Sequence, residues 1–556
     1  MKLRLIVVTS LVAAQPAVAG GLFVPGAGVK SSSRAGAAVA SADDGEALAV
    51  NPAGLAKSHG TSITVSATFL TYFMSFHRAG RYDQQTDTPT DLPWENTRYP
   101  TITNDPKPPL GIGRFQPLPV VAVVSDLGGV VPNLHVAAGL FTPQGYPFRD
   151  MSNGYKFQTV EANVPGAGAP PPSRYDVLEQ EAALLLPSVA AAYRVHPNLD
   201  LGARFSAGNF TNKTTVAVWG VPTSVEESIL TDSMFTADVK DSFVPTFGLG
   251  LAYRPTPEIE IGASYTSPIV IDAKGTAVTA SGPDVTLNGN PIEVGPVPDA
   301  MAACAPGGTM AEQKACISLQ LPQTATVGAR YKFFGDDHGY YGDLEFDVAW
   351  ENWGKSCDYT KASLDAGTDC TSPQQYKVTI DSGLYTNGSF AQAFEKSVIN
   401  LGLKDTLSFR LGGSYELPQG EPTAARRWII RYGVAYDTRA AKTGWLRANQ
   451  DGASRITTTA GAAYHAKKWE VSAGAGFIYE GSNTNPNSGV GGTLCNPTLA
   501  QITCTADGNQ RPNDQRQGPD PTNPLVPAEF QFENPVAQGT YKSSYLQFMF
   551  GYSRWF

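Results

Sequence analysis

The chain has 556 residues, with 41 basic and 50 acidic side chains and a formal net charge of −9. This charge excludes nucleic acid as a partner, because binding to phosphates requires a basic surface. With 42% hydrophobic and only 16% charged residues, the composition is not that of a disordered chain. The length allows several ordinary domains or one large barrel with long loops.

Residues 1–19 have the pattern of a secretory signal peptide. Lys2 and Arg4 form a basic start, and the apolar stretch Leu5–Ala14 is too short to cross a bilayer. Ala17-Val18-Ala19 is a typical cleavage site, so we expect the mature chain to begin at Gly20.

Residues 20–60 are predicted to form a small helical domain. Ser41 can cap a helix, and Asp44 follows three residues later as in a capping box. Pro52 ends this helix, because proline has no N–H donor and disfavours helical angles in the residue before it. Gly54 then permits a tight reversal, so we expect a compact plug joined directly to the first strand.

From residue 61 onward, polar and apolar residues alternate with the period of two that is typical of β-strands. Fourteen segments are predicted as strands: 61–77, 117–126, 133–142, 183–195, 198–217, 242–254, 258–275, 321–333, 340–353, 405–416, 427–440, 453–466, 468–480 and 541–556. The connections alternate between short turns and long loops. This asymmetry is typical of an outer-membrane barrel with both termini in the periplasm.

Each predicted strand has one apolar and one polar face. In the final strand, the first face consists of Leu546, Phe548, Phe550, Tyr552, Arg554 and Phe556. In a membrane barrel such a face contacts lipid and the polar face lines the lumen. A last aromatic strand ending in Phe resembles the signal that the outer-membrane assembly machinery reads, so Phe556 is predicted to contact that machinery.

Opposite charges occupy inward positions of neighbouring predicted strands. Arg330 and Lys332 lie on the eighth strand, and Asp343, Glu345 and Asp347 on the ninth, where cross-strand pairs are favourable. Two interpretations stay open: a binding or conduction feature, or a network that stiffens the wall. By inward direction alone, Arg330 and Lys332 are candidate partners for a ligand anion.

Six cysteines fall into three local couples, each within one predicted loop: Cys304 and Cys316, Cys357 and Cys370, Cys495 and Cys504. In an oxidising periplasm three local disulfides are expected, although other pairings stay open. A zinc site is the alternative, but no C-x₂-C pair or nearby histidine cluster is present.

The segment "SRAGAAVASADDGEALAVNPAGLA" resembles the N-terminal hatch of the FadL/OMPP1/TodX family of outer-membrane transporters. The resemblance continues through "GLFTPQGYPF" at 139–148 and several strands. It implies an all-β fold in the bacterial outer membrane. This fold is a 14-stranded antiparallel transmembrane β-barrel, residues 61–556, plugged by a small N-terminal α-helical hatch, residues 20–60.

The resemblance also implies a function, the passive uptake of hydrophobic small molecules by a monomer surrounded by outer-membrane lipid and lipopolysaccharide. Long-chain fatty acids are the first expected substrate, and aromatic hydrocarbons are the alternative. A general porin or surface adhesin would share the barrel but would not need the hatch. No cofactor, metal or catalytic residue is predicted, since neither G-x-S-x-G nor H-E-x-x-H occurs.

Three sets of site residues follow from the resemblance. The hatch motif, implied to abut a kink in the third strand, is Asn51, Pro52 and Ala53. The kink and lateral opening are assigned to Phe141, Thr142, Pro143 and Gly145. Leu22 or Phe23 is implied to occupy a pocket near the hatch.

Overall fold

The computed structural model describes residues 23–82, 92–108, 111–143, 148–155, 169–219, 232–281, 286–287, 290–335, 339–357, 370–393, 397–418, 426–442, 445–449, 452–485 and 537–556. Within this part of the chain, no helix has the length and apolar character needed to cross a bilayer. The predicted signal peptide lies outside the described residues.

The hatch consists of three short helices: α1 (Val29–Ser32), α2 (Ala47–Val50) and a 3₁₀ helix (Pro52–Lys57). The prediction that Ser41 caps a helix is wrong, because α2 begins only at Ala47. The turn that leads into α2 starts at Asp44 instead: its carboxylate accepts from the backbone N–H of Glu46 at 2.9 Å, and its carbonyl accepts from that of Ala47 at 3.0 Å. The backbone N–H of Ser41 donates to the Glu345 carboxylate of the wall at 3.3 Å.

The described residues form strands whose bounds are β1 Thr61–Arg78, β2 Thr101–Thr103, β3 Gln116–Ser125, β4 Leu134–Phe141, β5 Arg149–Asp150, β6 Glu179–His196, β7 Leu199–Trp219, β8 Asp232–Tyr253, β9 Ile259–Thr266, β10 Ile269–Ser281, β11 Thr286–Leu287, β12 Asn290–Pro296, β13 Gln313–Leu321, β14 Thr324–Phe334, β15 Tyr340–Glu351, β16 Gln375–Thr386, β17 Ser389–Ala393, β18 Ser397–Asn400, β19 Thr406–Pro418, β20 Arg427–Asp437, β21 Arg455–Ala466, β22 Trp469–Asn485 and β23 Gly539–Trp555.

Antiparallel pairing closes a ring of fourteen barrel strands. Two of these strands are each made of two segments, β9 with β10 and β13 with β14. The other twelve are β1, β3, β4, β6, β7, β8, β15, β19, β20, β21, β22 and β23. β1 pairs with β23 from Ser62–Trp555 to Arg78–Gly539, so the first and last strands close the ring. The predicted fourteen-stranded antiparallel barrel is confirmed.

The two faces of the barrel wall are sorted as the alternation predicts. Leu249 and Phe550 point outward and are 50% and 56% exposed, whereas the inward Gln547 is fully buried. At the short-turn end, Trp428, Tyr464 and Trp469 form a row with ring centroids 5.0 and 5.6 Å apart. Aromatic belts of this kind are typical of a membrane interface.

Several predicted loops contain additional strands. The predicted loop 276–320 includes β12 and β13, so Cys316 lies on a strand rather than in a loop. Cys304 is bonded to Cys316 and Cys357 to Cys370. Cys495 and Cys504 lie outside the described residues, so their pairing stays a prediction.

A line of prolines crosses the barrel strands at one height. Pro187 of β6 pairs with Leu140, Pro245 of β8 pairs with Ala207, and Pro268 interrupts the strand formed by β9 and β10. Beyond this line, towards the long-loop end, β6, β7, β8, β10 and β13 continue with apolar side chains inward, including Leu184, Phe210 and Ile271. The lumen is therefore polar around the hatch and apolar above it.

Candidate functional site

The wall of the barrel is interrupted beside the third barrel strand. The ladder between β4 and β6 ends at the pair Phe141–Leu186 and resumes, through β5, at Arg149–Gln180. In between, residues 181–185 of β6 have no ladder partner on this side within the described residues. They stay paired with β7 on the other side, so the gap opens on one side only.

Prolines account for this interruption. Pro143 has no N–H to donate to β6, and prolines inside sheets are confined to edges and breaks. The N–H of Thr142 donates instead to Pro119 of β3 at 3.2 Å. The chain therefore leaves β6 directly after Phe141. Gly145 lies outside the described residues.

A small pocket lies at the gap; its internal volume is about 10 Å³ and it is partly open to the exterior. Its lining residues are Phe23, Gln116, Thr142, Pro143, Ala182, Ala183, Leu184, Phe210 and Leu321. Apolar side chains dominate this lining. Thr142 and Pro143, two of the residues predicted for the lateral opening, thus border a small apolar pocket.

Phe23 separates two apolar clusters inside the barrel. Its ring packs against the cluster that lines the pocket, and on the other side it lies 5.7 Å from Trp353, centroid to centroid. Its carbonyl accepts a hydrogen bond from Arg455 Nη2 at 2.5 Å, and Arg455 is paired with Asp437 at 3.1 Å. Phe23 thus lines the pocket at the gap, whereas Leu22 is outside the described residues.

Arg204 is a buried cation between the pocket and the hatch. It is 4% exposed, and its Nη1 donates to the carbonyls of Leu48 and Ala49 at 2.9 and 3.1 Å. Its guanidinium carbon lies 4.8 Å from the ring centroid of Phe141. Among the described residues no carboxylate pairs with it, and its Nε has no hydrogen-bond partner. A buried charge without a counter-charge is costly.

Arg330 and Lys332, the predicted partners of a ligand anion, lie elsewhere and are occupied. Arg330 contacts Glu260 at 2.8 Å and Asp343 at 2.6 Å, and Lys332 contacts Glu260 at 3.2 Å. Lys57 of the hatch adds a third cation at 3.3 Å from Glu260. These contacts form the cross-strand network that the sequence left as the second interpretation.

Acidic side chains of β15 hold the hatch. Arg34 donates to Asp343 at 2.6 Å and to Glu345 at 2.9 Å, with both carboxylate side chains fully buried. The backbone N–H of Ala38 donates to Asp347 at 2.9 Å. The hatch is therefore attached to the wall by charge-assisted hydrogen bonds, which are stronger than neutral ones.

Inward glycines bring the wall into contact with the hatch backbone. A Cβ at Gly250 would lie 2.1 Å from Asn51 Oδ1, and one at Gly433 would lie 2.1 Å from the carbonyl carbon of Arg34. The same close approach to the hatch backbone occurs at Gly202, Gly262 and Gly412, and Gly461 and Gly551 approach the hatch side chains of Ser33 and Val29. Any larger residue at these positions would displace the hatch, so the plug fits closely around much of the ring.

The hatch motif lies against β7 and β8. The Asn51 side chain accepts from Ala53 N at 3.1 Å and donates to Val39 at 2.7 Å and to Leu251 of β8 at 3.1 Å. The third barrel strand, β4, contacts α2, whose Leu48 approaches Gly139, and also the 3₁₀ helix that begins at Pro52. The role that the resemblance implies for the motif beside this strand stays a prediction.

Glu46 links the two hatch helices. Its carboxylate accepts from the backbone N–H groups of Lys30 and Ser31 at 3.0 and 3.2 Å, at the start of α1. Burial, followed by the neighbouring charge of Asp44, raises the pKa of Glu46 from its usual 4.5 to about 7. This carboxyl group therefore titrates near neutral pH.

Sequence reasoning did not assign a role to Arg204. A signal for Arg204 is present: it points inward on the fifth barrel strand, opposite Gly248 rather than an acid. The glycines recur at inward positions of successive strands, which marks a surface that another backbone approaches.

Comparisons with known proteins agree with this architecture. The model of the family described as outer membrane protein transport protein (OMPP1/FadL/TodX) matches residues 182–493, more than half of the chain. No curated protein sequence matches.

Three solved structures with a similar fold illustrate the likeness. A Pseudomonas aeruginosa FadL homologue has 14% identity and a TM-score of 0.60, covering 96% of this chain and 100% of the other. The Ralstonia pickettii toluene transporter TbuX has 15% identity and a TM-score of 0.54, with 96% and 99% covered. The Pseudomonas putida toluene transporter TodX has 13% and 0.55, with 97% and 100% covered.

Proposed function

This chain belongs to the outer membrane protein transport protein family (OMPP1/FadL/TodX), and we propose that it takes up long-chain fatty acids through the outer membrane. In this proposal the long-loop end faces the exterior and the short-turn end the periplasm. The ligand reaches the pocket beside Phe23 and leaves sideways through the gap in the wall. The observation that carries the proposal is that the pocket and the gap share Thr142 and Pro143.

A sideways exit is supported by how firmly the hatch is held. Passage along the barrel axis would require the ion pairs of Arg34 to break and the backbone to separate from glycines such as Gly250. Sideways passage instead keeps an acyl chain among apolar groups, and each CH₂ kept out of water is worth about 0.8 kcal/mol. The gap is the lower-energy route.

Arg204 supports a fatty acid over an aromatic hydrocarbon. A carboxylate placed in the pocket with its head towards Phe141 would meet this buried guanidinium, which has no acidic partner among the described residues. Arginine binds a carboxylate in bidentate fashion. Toluene and similar hydrocarbons, the alternative substrates, would occupy the pocket without giving the Arg204 guanidinium a counter-charge.

The test compares wild type with Arg204→Met, a variant of similar length without charge. Mass spectrometry of the purified wild type should find bound fatty acids, and uptake is measured in Gram-negative cells whose own transporter of this family is deleted. The variant should lose at least tenfold in oleate affinity, since a charged hydrogen bond contributes about 1.5–3 kcal/mol. Its affinity for toluene should not fall.

The contrary results are equally clear. Equal oleate binding by wild type and Arg204→Met would remove the fatty-acid assignment in favour of aromatic hydrocarbons. Steady ion conductance through the wild-type protein, together with no hydrophobic uptake, would favour a general porin or adhesin over a transporter.

A further inference from the structure

The outward face of the wall changes character at the line of prolines. On β7, Leu201 and Phe205 are exposed and apolar, whereas Asn209, Thr211 and Lys213 further along the same face are exposed and polar. Apolar outward side chains contact acyl chains, and polar ones contact headgroups and water. In the orientation proposed above, the polar section borders the headgroups of the outer leaflet.

Strand register arranges the outward side chains of this polar section in rows. In one row the charges alternate, because Lys213 lies opposite Glu181 on one side and Asp238 on the other. In the next row towards the apolar belt, Lys240 of β8 lies directly opposite Lys274 of β10. Both lysines are exposed. Directly opposite side chains have Cβ atoms about 5 Å apart.

Among the described residues, this lysine pair has no counter-charge in direct contact. Asp238 and Asp272 lie two residues along the same strands, yet no described carboxylate forms an ion pair with Lys240 or Lys274. Like charges directly opposite each other destabilise a sheet. The alternating row beside them makes Lys240 and Lys274 the exception on this face, so an external anion would offset an existing repulsion.

The position of the pair identifies the anion. Phe243 is 63% exposed on the same strand, three residues or roughly 10 Å from Lys240 towards the apolar belt. Exposed aromatic side chains lie at the boundary between acyl chains and headgroups. We propose that Lys240 and Lys274 bind the phosphate groups of the outer-leaflet glycolipid whose acyl chains lie against the apolar face below.

The experiment is native mass spectrometry of the full-length protein in detergent, titrated with phosphorylated lipid A and with the same lipid A after dephosphorylation. Wild type should prefer the phosphorylated form. The double variant Lys240→Gln/Lys274→Gln should bind it about 30-fold more weakly, since each lysine near an anionic lipid surface contributes roughly fivefold. The same row continues through Thr276 of β10, which lies opposite Asp238, to Lys314 of β13. The matched control Lys213→Gln/Lys314→Gln removes two lysines from this alternating row and should bind nearly as wild type does.

Three results would overturn the proposal. Equal binding of dephosphorylated lipid A by wild type would show that acyl chains alone are recognised. Unchanged affinity in the double variant would exclude the lysine pair. Full competition by inorganic pyrophosphate at equal concentration would show that a free phosphate compound, rather than the glycolipid, occupies the site. Oleate uptake should be unchanged in the double variant, so failure here is distinguishable from failure of the proposed function.

Discussion

Replacing Arg34 with methionine should loosen the hatch and leave the barrel intact. The change removes the contacts to Asp343 and Glu345 at 2.6 and 2.9 Å. Leaving a buried charge without its partner costs about 3–5 kcal/mol. Here Asp343 keeps Arg330 at 2.6 Å and Glu345 keeps the N–H of Ala40, so we expect about 2–3 kcal/mol.

Hydrogen exchange read by mass spectrometry measures this loss. A loss of 2–3 kcal/mol accelerates exchange through local opening by about 30- to 150-fold. The effect should appear in peptides covering residues 29–57 and not in barrel strands. The control is Arg427→Met, whose partner Glu416 lies 2.8 Å away at a partly exposed site, where a pair contributes at most about 1 kcal/mol.

Unchanged hatch exchange in Arg34→Met would refute the reasoning. It would mean that the glycine contacts and backbone hydrogen bonds hold the hatch without the ion pairs. Equally faster hydrogen exchange in hatch and barrel peptides would also contradict the reasoning, because it would show that hatch and barrel unfold together as one cooperative unit.

Two further predictions concern the same plug. Gly250→Ala would place a Cβ only 2.1 Å from Asn51 Oδ1. Hydrogen exchange of the hatch peptides should therefore be faster in that variant, while the circular dichroism of the barrel stays that of wild type. A hatch exchange rate equal to that of wild type would contradict the close fit. Because the pKa of Glu46 is raised to about 7, its contribution to hatch stability is full below pH 4.5 and is lost as the pH rises through 7. Hatch exchange should accelerate between pH 5 and 8 beyond its intrinsic rate, and Glu46→Gln should abolish that extra dependence; the same profile in both proteins would exclude Glu46 as the source.

The strand pattern was predictable because each barrel strand needs one lipid-facing apolar side and one polar side. Even the ion pair between Arg330 and Asp343 follows from inward positions on adjacent strands. Extra strands such as β13 were not predicted, because Pro322 is typical of a strand end. In the structure, β13 ends just before Pro322 and β14 continues the same barrel strand after it.

The isolation of Arg204 could not be predicted from its own strand. Whether an inward arginine is paired depends on which hatch groups reach it, and here these are the carbonyls of Leu48 and Ala49. The start of α2 is set by a local turn at Asp44, whose carboxylate accepts from the N–H of Glu46, and not by Ser41, from which the sequence pattern predicted it.

The most direct test of sideways exit is to fill the gap. Ala182→Trp places a large side chain in the pocket wall, on the stretch of β6 that has no described ladder partner on the β4 side. The control Ala191→Trp makes the same change on the same strand, at a lipid-facing position where β6 is paired with β4. We predict that Ala182→Trp abolishes hydrophobic uptake in cells while the protein remains folded and the Ala191→Trp control transports normally. Normal uptake with the gap filled would contradict the account.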